Sequence, residues 1–135
     1  MTDVFTGKYK LVKSTGFDEF LSELGVRTIK RQLAKSASPE IEIERNGDGW
    51  HVKSKAGLGS SEFTFKLGEE FEEIRQDEAK VRSVVVQDGN KWTQTQTPLD
   101  GSKIVTIVRE FKDAQMTTSA TVGNVTAVRI FDRVV

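Results

Sequence analysis

Two arginines set the chemical question. Arg109 stands at intervals of two from Val105, Ile107 and Phe111, and Arg129 stands likewise among Val125, Ala127 and Phe131. Residues two apart on an extended chain share a face. Each guanidinium therefore projects from a side whose other members are apolar, where burial without a partner is costly. If both arginines point inwards they need an anion, and an internal cavity receiving a ligand carboxylate would provide it through charge-assisted hydrogen bonds. Parity alone leaves a surface position open for both, because the opposite face of Ile104–Phe111 also carries Ile104, Thr106 and Val108.

Other chemistries find less support. The 135 residues contain no Cys and one His, which excludes disulfide scaffolds, thiolate zinc sites, iron–sulfur clusters, cysteine nucleophiles and multi-His metal centres. Lys and Arg total 20 against 20 Asp and Glu, a balance that argues against a nucleic-acid binder. His51 lies beside Trp50 on the face of Lys53 and Lys55 and reads as a surface residue, with no Ser and Asp partners announced for a triad. The acids of Glu62–Glu78, Glu69, Glu70, Glu72 and Glu73 among them, lack calcium-loop spacing and read as a solvated strand. Gly47-Asp48-Gly49 and Gly57-Leu58-Gly59 lack the third glycine and the following helix of a dinucleotide loop. Neither an enzyme nor a metal or cofactor site is expected.

The elements that must position the arginines are mostly strands. Period-two alternation runs through Tyr9 and Leu11, Ile41 and Ile43, Trp50 and Val52, and Phe63 and Phe65. It continues through Phe71–Ile74, Val81–Gln87, Trp92–Thr97, Ile104–Phe111, Met116–Val122 and Val125–Val134. Short turn signals separate them, among them Asn46-Gly47-Asp48-Gly49, Asp88-Gly89-Asn90 and Gly123-Asn124. About ten neighbouring strands predict an antiparallel meander that closes into a barrel and so removes its edges. One interval differs. Phe17, Phe20, Leu21 and Leu24 recur at helical spacing, with Asp18 and Glu19 in the first turn and Gly25 as the stop. Val26, Ile29 and Leu33 continue as a second helical stripe up to Ser36, so two short helices form a cap between the first and second strands. One domain over residues 1–135 is expected, since no linker or repeat interrupts the chain. No apolar leader follows Met1, the longest aliphatic run is Val84-Val85-Val86, and Asn124-Val125-Thr126 reads as an unused glycosylation acceptor. A cytoplasmic protein is the expectation.

Lys8-Tyr9-Lys10-Leu11-Val12 followed by Phe17-Asp18-Glu19-Phe20-Leu21 resembles the opening of the intracellular lipid-binding proteins, the fatty acid-binding protein family. The resemblance extends through Leu24-Gly25-Val26, Phe65–Glu73, Lys80–Val84, Ile107–Phe111 and Val128–Phe131, in order and along nearly the whole chain. It implies an all-β, ten-stranded antiparallel up-and-down barrel (clam) capped by a helix-turn-helix, holding a long-chain fatty acid non-covalently and performing no chemistry on it. It implies further that Arg109 and Arg129 hold the carboxylate. Phe131 stands where the family usually has a tyrosine, which removes a donor worth about 1.5–3 kcal/mol to a charged group. Tyr9, the only tyrosine, matches a first-strand aromatic and does not substitute for it. Gln96 and Thr118 are expected as supporting polar groups. Phe17, Val26, Ile29, Leu58, Asp77, Ile107 and Ala120 are expected on the cavity wall, with Thr118 and Ala120 making that wall roomier and more polar. The alternative ligand is a retinoid or another amphipathic carboxylate.

Arg27, Lys30, Arg31 and Lys35 carry no acid between them. They form either a solvated helical face or a docking face for anionic membranes, each basic residue adding about 1 kcal/mol. Transient membrane contact through Arg27–Lys35, no nucleic acid and a monomer complete the expected partners.

Overall fold

The structure, a computed structural model, describes residues 4–29, 31–32, 39–56, 59–75, 79–101 and 103–134. Its alternating segments become ten strands. They are β1 (Gly7–Thr15), β2 (Glu40–Asn46), β3 (Gly49–Ala56), β4 (Gly59–Phe65), β5 (Phe71–Ile74), β6 (Lys80–Asp88), β7 (Lys91–Pro98), β8 (Val105–Lys112), β9 (Gln115–Val122) and β10 (Val125–Val134). Ile104, expected inside the eighth strand, precedes it and is 54% exposed.

Strands adjacent in sequence pair antiparallel, and β1 pairs with β10, so the sheet runs β4-β3-β2-β1-β10-β9-β8-β7-β6-β5. The chain thus curls into a nearly closed barrel. Among the described residues no backbone ladder joins β4 to β5; instead, Phe63 and Phe65 of β4 stack on Phe71 of β5 at centroid distances of 5.5 and 5.9 Å. Aromatic contact bridges the gap that backbone pairing leaves open.

Between β1 and β2 the amphipathic segment forms α1 (Phe17–Leu24), as its spacing predicts. Gly16 precedes it with φ 76°, and a Cβ there would meet the Thr126 carbonyl oxygen at 2.8 Å. Both the left-handed conformation and the close approach require glycine. Gly25 ends the helix at φ 89°, and the next amide, of Val26, donates to the Leu21 carbonyl at 2.9 Å. Phe20 and Leu21 are buried against the barrel, and α1 lies over β9 and β10.

Helical turns resume at 28–29 and 31–32, where the Arg31 amide donates to the Arg27 carbonyl at 3.0 Å. Lys30, Leu33, Lys35 and Ser36 lie outside the described residues. Arg31 is turned back onto α1: its Nε lies 3.2 Å from Asp18 Oδ1 and its guanidinium also donates to the Val26 carbonyl at 3.0 Å. Ile29 sits two residues away, roughly 200° around a helix. That phase explains a correction. Ile29, expected on the cavity wall, is 74% exposed and faces solvent.

Among the described residues two apolar clusters line the interior. The larger gathers Phe5, Tyr9, Trp50, Trp92, Phe111, Met116 and Phe131 at one end. The smaller gathers Phe20, Leu21, Val26, Val105, Val122 and Ala127 beneath the helix.

Candidate anion-binding site in the barrel interior

Sheet register explains where the arginines fall. Across β8, β9 and β10, the inward residues form four rows: Val105–Val122–Val125, Ile107–Ala120–Ala127, Arg109–Thr118–Arg129 and Phe111–Met116–Phe131. The first two rows belong to the cluster under the helix and the fourth to the aromatic end. The third row is a polar belt between two apolar layers, and Thr118 is the cross-strand partner of both arginines.

The two cations have different surroundings. The Arg109 guanidinium donates to Gln94 Oε1 at 2.7 Å. The Gln94 amide in turn donates to Glu73 Oε2 at 2.5 Å, and the same oxygen accepts from Ser83 Oγ at 2.5 Å and Gln96 Nε2 at 3.1 Å. Arg109 is therefore wired to an internal carboxylate. Burial pushes its pKa down to about 10, and the Glu73 charge works in the opposite direction.

Among the described residues Arg129 has no such counter-charge. Its guanidinium lies 3.8 Å from the centroid of the Phe17 ring and 5.9 Å from that of Phe131. Burial alone drives it down to about 10, which leaves it protonated at neutral pH. Among the described residues its Nε is buried without a hydrogen-bond partner, and so is Thr118 Oγ1. Buried polar atoms are ordinarily satisfied, so two orphans in one row mark a place for an incoming acceptor. Geometry and charge at this belt fit a carboxylate.

The remaining sequence-predicted residues divide as follows. Phe131 is 2% exposed within the aromatic cluster, and Tyr9 commits its hydroxyl to the Phe5 carbonyl at 2.8 Å. Phe17 opens α1 and reaches the site through the Arg129 contact. Val26 is buried under the cap, and Ile107 and Ala120 pack against the same cluster one row from the belt. Gln96 faces Glu73. Leu58 and Asp77 lie outside the described residues. Among the described residues no group of three or more His, Asp or Glu is placed to hold a metal.

Three site residues were not expected: Glu73, Ser83 and Gln94. The reading of Glu69–Glu73 as a wholly solvated strand fails at one position. Along β5, Phe71 and Glu73 alternate with exposed Glu72 and Ile74, so Glu73 turns inwards with Phe71. Its shared parity with Phe71 was the available signal. His51, on β3, approaches Glu62 at 3.3 Å with its side chain 29% exposed.

Comparisons with known proteins converge on this architecture. The model of the lipocalin / cytosolic fatty-acid binding protein family matches residues 6–134. A fatty acid-binding protein of Tyrophagus putrescentiae is 52% identical over 128 residues, covering 94% of this chain and 95% of its own. A muscle fatty acid-binding protein of Schistocerca gregaria is 40% identical over 134 residues, covering 97% and 98% respectively. Among solved structures, the Schistosoma mansoni fatty acid binding protein in complex with arachidonic acid superposes at a TM-score of 0.92 and 37% identity over 98% of each chain.

Proposed function

The chain belongs to the lipocalin / cytosolic fatty-acid binding protein family, a family of binding and transport proteins, and on that premise we propose how it holds a long-chain fatty acid. The carboxylate is received at Arg129 and Thr118, the row that holds two buried unsatisfied polar atoms. That observation carries the assignment. Arg109, one strand further on, adds positive potential from within its bond to Gln94. Burial of the acyl chain supplies most of the affinity, about 0.8 kcal/mol for each methylene removed from water. Ile107, Ala120 and Val26 line the layer that separates the belt from the cap. Phe131 offers no hydroxyl, so the headgroup relies on guanidinium and threonine donors.

The protein acts by binding, as a monomer in the cytoplasm. The helical cap governs passage of the ligand, because Phe17 ties α1 to the headgroup cation. Contact with anionic membranes runs through the segment 27–35, where Arg27 and Ile29 are exposed while Arg31 is held by Asp18. An exposed aliphatic beside a cation suits shallow insertion at a lipid interface.

Gentle purification, solvent extraction and mass spectrometry identify the lipid carried, and titration of the delipidated protein with a fluorescent fatty acid measures its binding. Retinoic acid, titrated in parallel, separates the retinoid alternative. A fatty acid that binds wild type and is lost with Arg129→Gln supports the assignment. Failure of any fatty acid to bind overturns it, and so does binding unchanged by Arg129→Gln.

A further inference from the structure

Glu73 places a negative charge on the inner face of a barrel proposed to take up anions. Its carboxylate accepts three hydrogen bonds inside the barrel, and one of those donors, Gln94, also accepts from Arg109. The Ser83 hydroxyl lies 2.5 Å from the oxygen, within the range of a hydroxyl on a carboxylate, and the Gln94 amide is equally near. The chain Arg109–Gln94–Glu73 is thus a relayed ion pair. An amide can relay in this way because it accepts at one end and donates at the other.

We propose that Glu73 is a specificity-determining residue: it holds Arg109 away from the headgroup, so that the belt answers ligands bearing one carboxylate, and answers them at Arg129. Among the described residues of the belt and its network, two guanidinium charges less one carboxylate leave a single net positive charge. One ligand carboxylate balances it. Without Glu73 the interior would hold two uncompensated cations, and Arg109 would be free to turn towards the ligand. The inference rests on the fatty acid reading above and adds the reason why the two arginines, register neighbours of the same threonine, are not equivalent.

The test compares displacement of a fluorescent fatty acid by oleate and by oleyl alcohol. It uses wild type, Glu73→Gln, and the double variant Glu73→Gln/Arg109→Gln. Removing the negative charge strengthens oleate binding on the order of tenfold, the scale of one unit charge at roughly 10 Å and an effective dielectric of about 20. Oleyl alcohol is unaffected, and the double variant returns oleate towards its wild-type affinity. A merely structural Glu73 would shift acid and alcohol together, and that result overturns the inference, as does unchanged oleate binding. Should Glu73→Gln not fold, the native protein still decides. In nitrogen-15 spectra of the arginine side chains, oleate moves the Arg129 Nε resonance and leaves that of Arg109 in place; the reverse pattern refutes the assignment. If oleate binding is lost with Arg129→Gln yet Glu73→Gln changes nothing, only this inference falls. If wild type binds neither ligand, the fatty acid reading falls and takes this one with it.

Discussion

Replacing Arg129 by Met should stabilise the ligand-free protein while weakening its grip on carboxylates. Burial drives the guanidinium well below its ordinary range, to about 10, a displacement worth roughly 3 kcal/mol against the charged form. Because the folded value lies below the ordinary one, the charge opposes folding at every pH below about 10, and the cost fades as pH rises through that value. Partial exposure and the favourable face of Phe17 at 3.8 Å reduce the net cost to about 1–2 kcal/mol. Methionine retains similar bulk against Phe17 and removes both the charge and the orphaned Nε. The delipidated variant should therefore melt roughly 3–8 °C above wild type by calorimetry, given the enthalpy of a domain this size. Its carboxylate affinity should fall roughly 10- to 150-fold, the value of about 1.5–3 kcal/mol for hydrogen bonding to a charged group. A variant that melts lower than wild type and binds fatty acid as before would show that Arg129 neither strains the fold nor holds the carboxylate. Stability and binding would then not be opposed at this residue.

Further substitutions probe the same belt and the cap. Thr118→Val removes the orphaned hydroxyl with little change of shape, so the melting temperature should hold or rise while carboxylate affinity drops several-fold in titration calorimetry. Phe131→Tyr places a hydroxyl near Arg129 and should raise carboxylate affinity up to about tenfold; binding of the corresponding alcohol, followed in parallel, should change much less. Ile29→Ser, at a position 74% exposed, should slow fatty acid transfer to anionic vesicles without altering affinity in solution, as read by a fluorescence transfer assay.

The sequence exposes most of this architecture because its signals are local. Phe17, Phe20, Leu21 and Leu24 followed by Gly25 mark α1 at its observed bounds. The late strands follow from alternation punctuated by two-residue turns, and β9 and β10 begin and end within a residue of where the pattern places them. Arg109 and Arg129 stand out for the same reason, since each interrupts an apolar row. What escapes is relational. Glu73 sits in an acid-rich run whose other members face water, and its role exists only through Ser83, Gln94 and Gln96 on two other strands. The difference between the arginines is of this kind too, because one meets Gln94 and the other Phe17. Ile29 is exposed, and Arg31, two residues on, reaches back to Asp18, a contact that periodicity does not encode.

If a fatty acid's carboxylate sits inside the barrel against Arg129, its own titration reveals it. Oleate labelled with carbon-13 at the carboxyl is bound to the delipidated protein and followed by NMR as pH is lowered. A free carboxyl of this type protonates near 4–5. Beside an unneutralised buried guanidinium the anion is favoured, so its pKa is depressed and the bound resonance should hold its position as pH falls through that range. A bound resonance that titrates with the ordinary value would place the headgroup in water, away from Arg129.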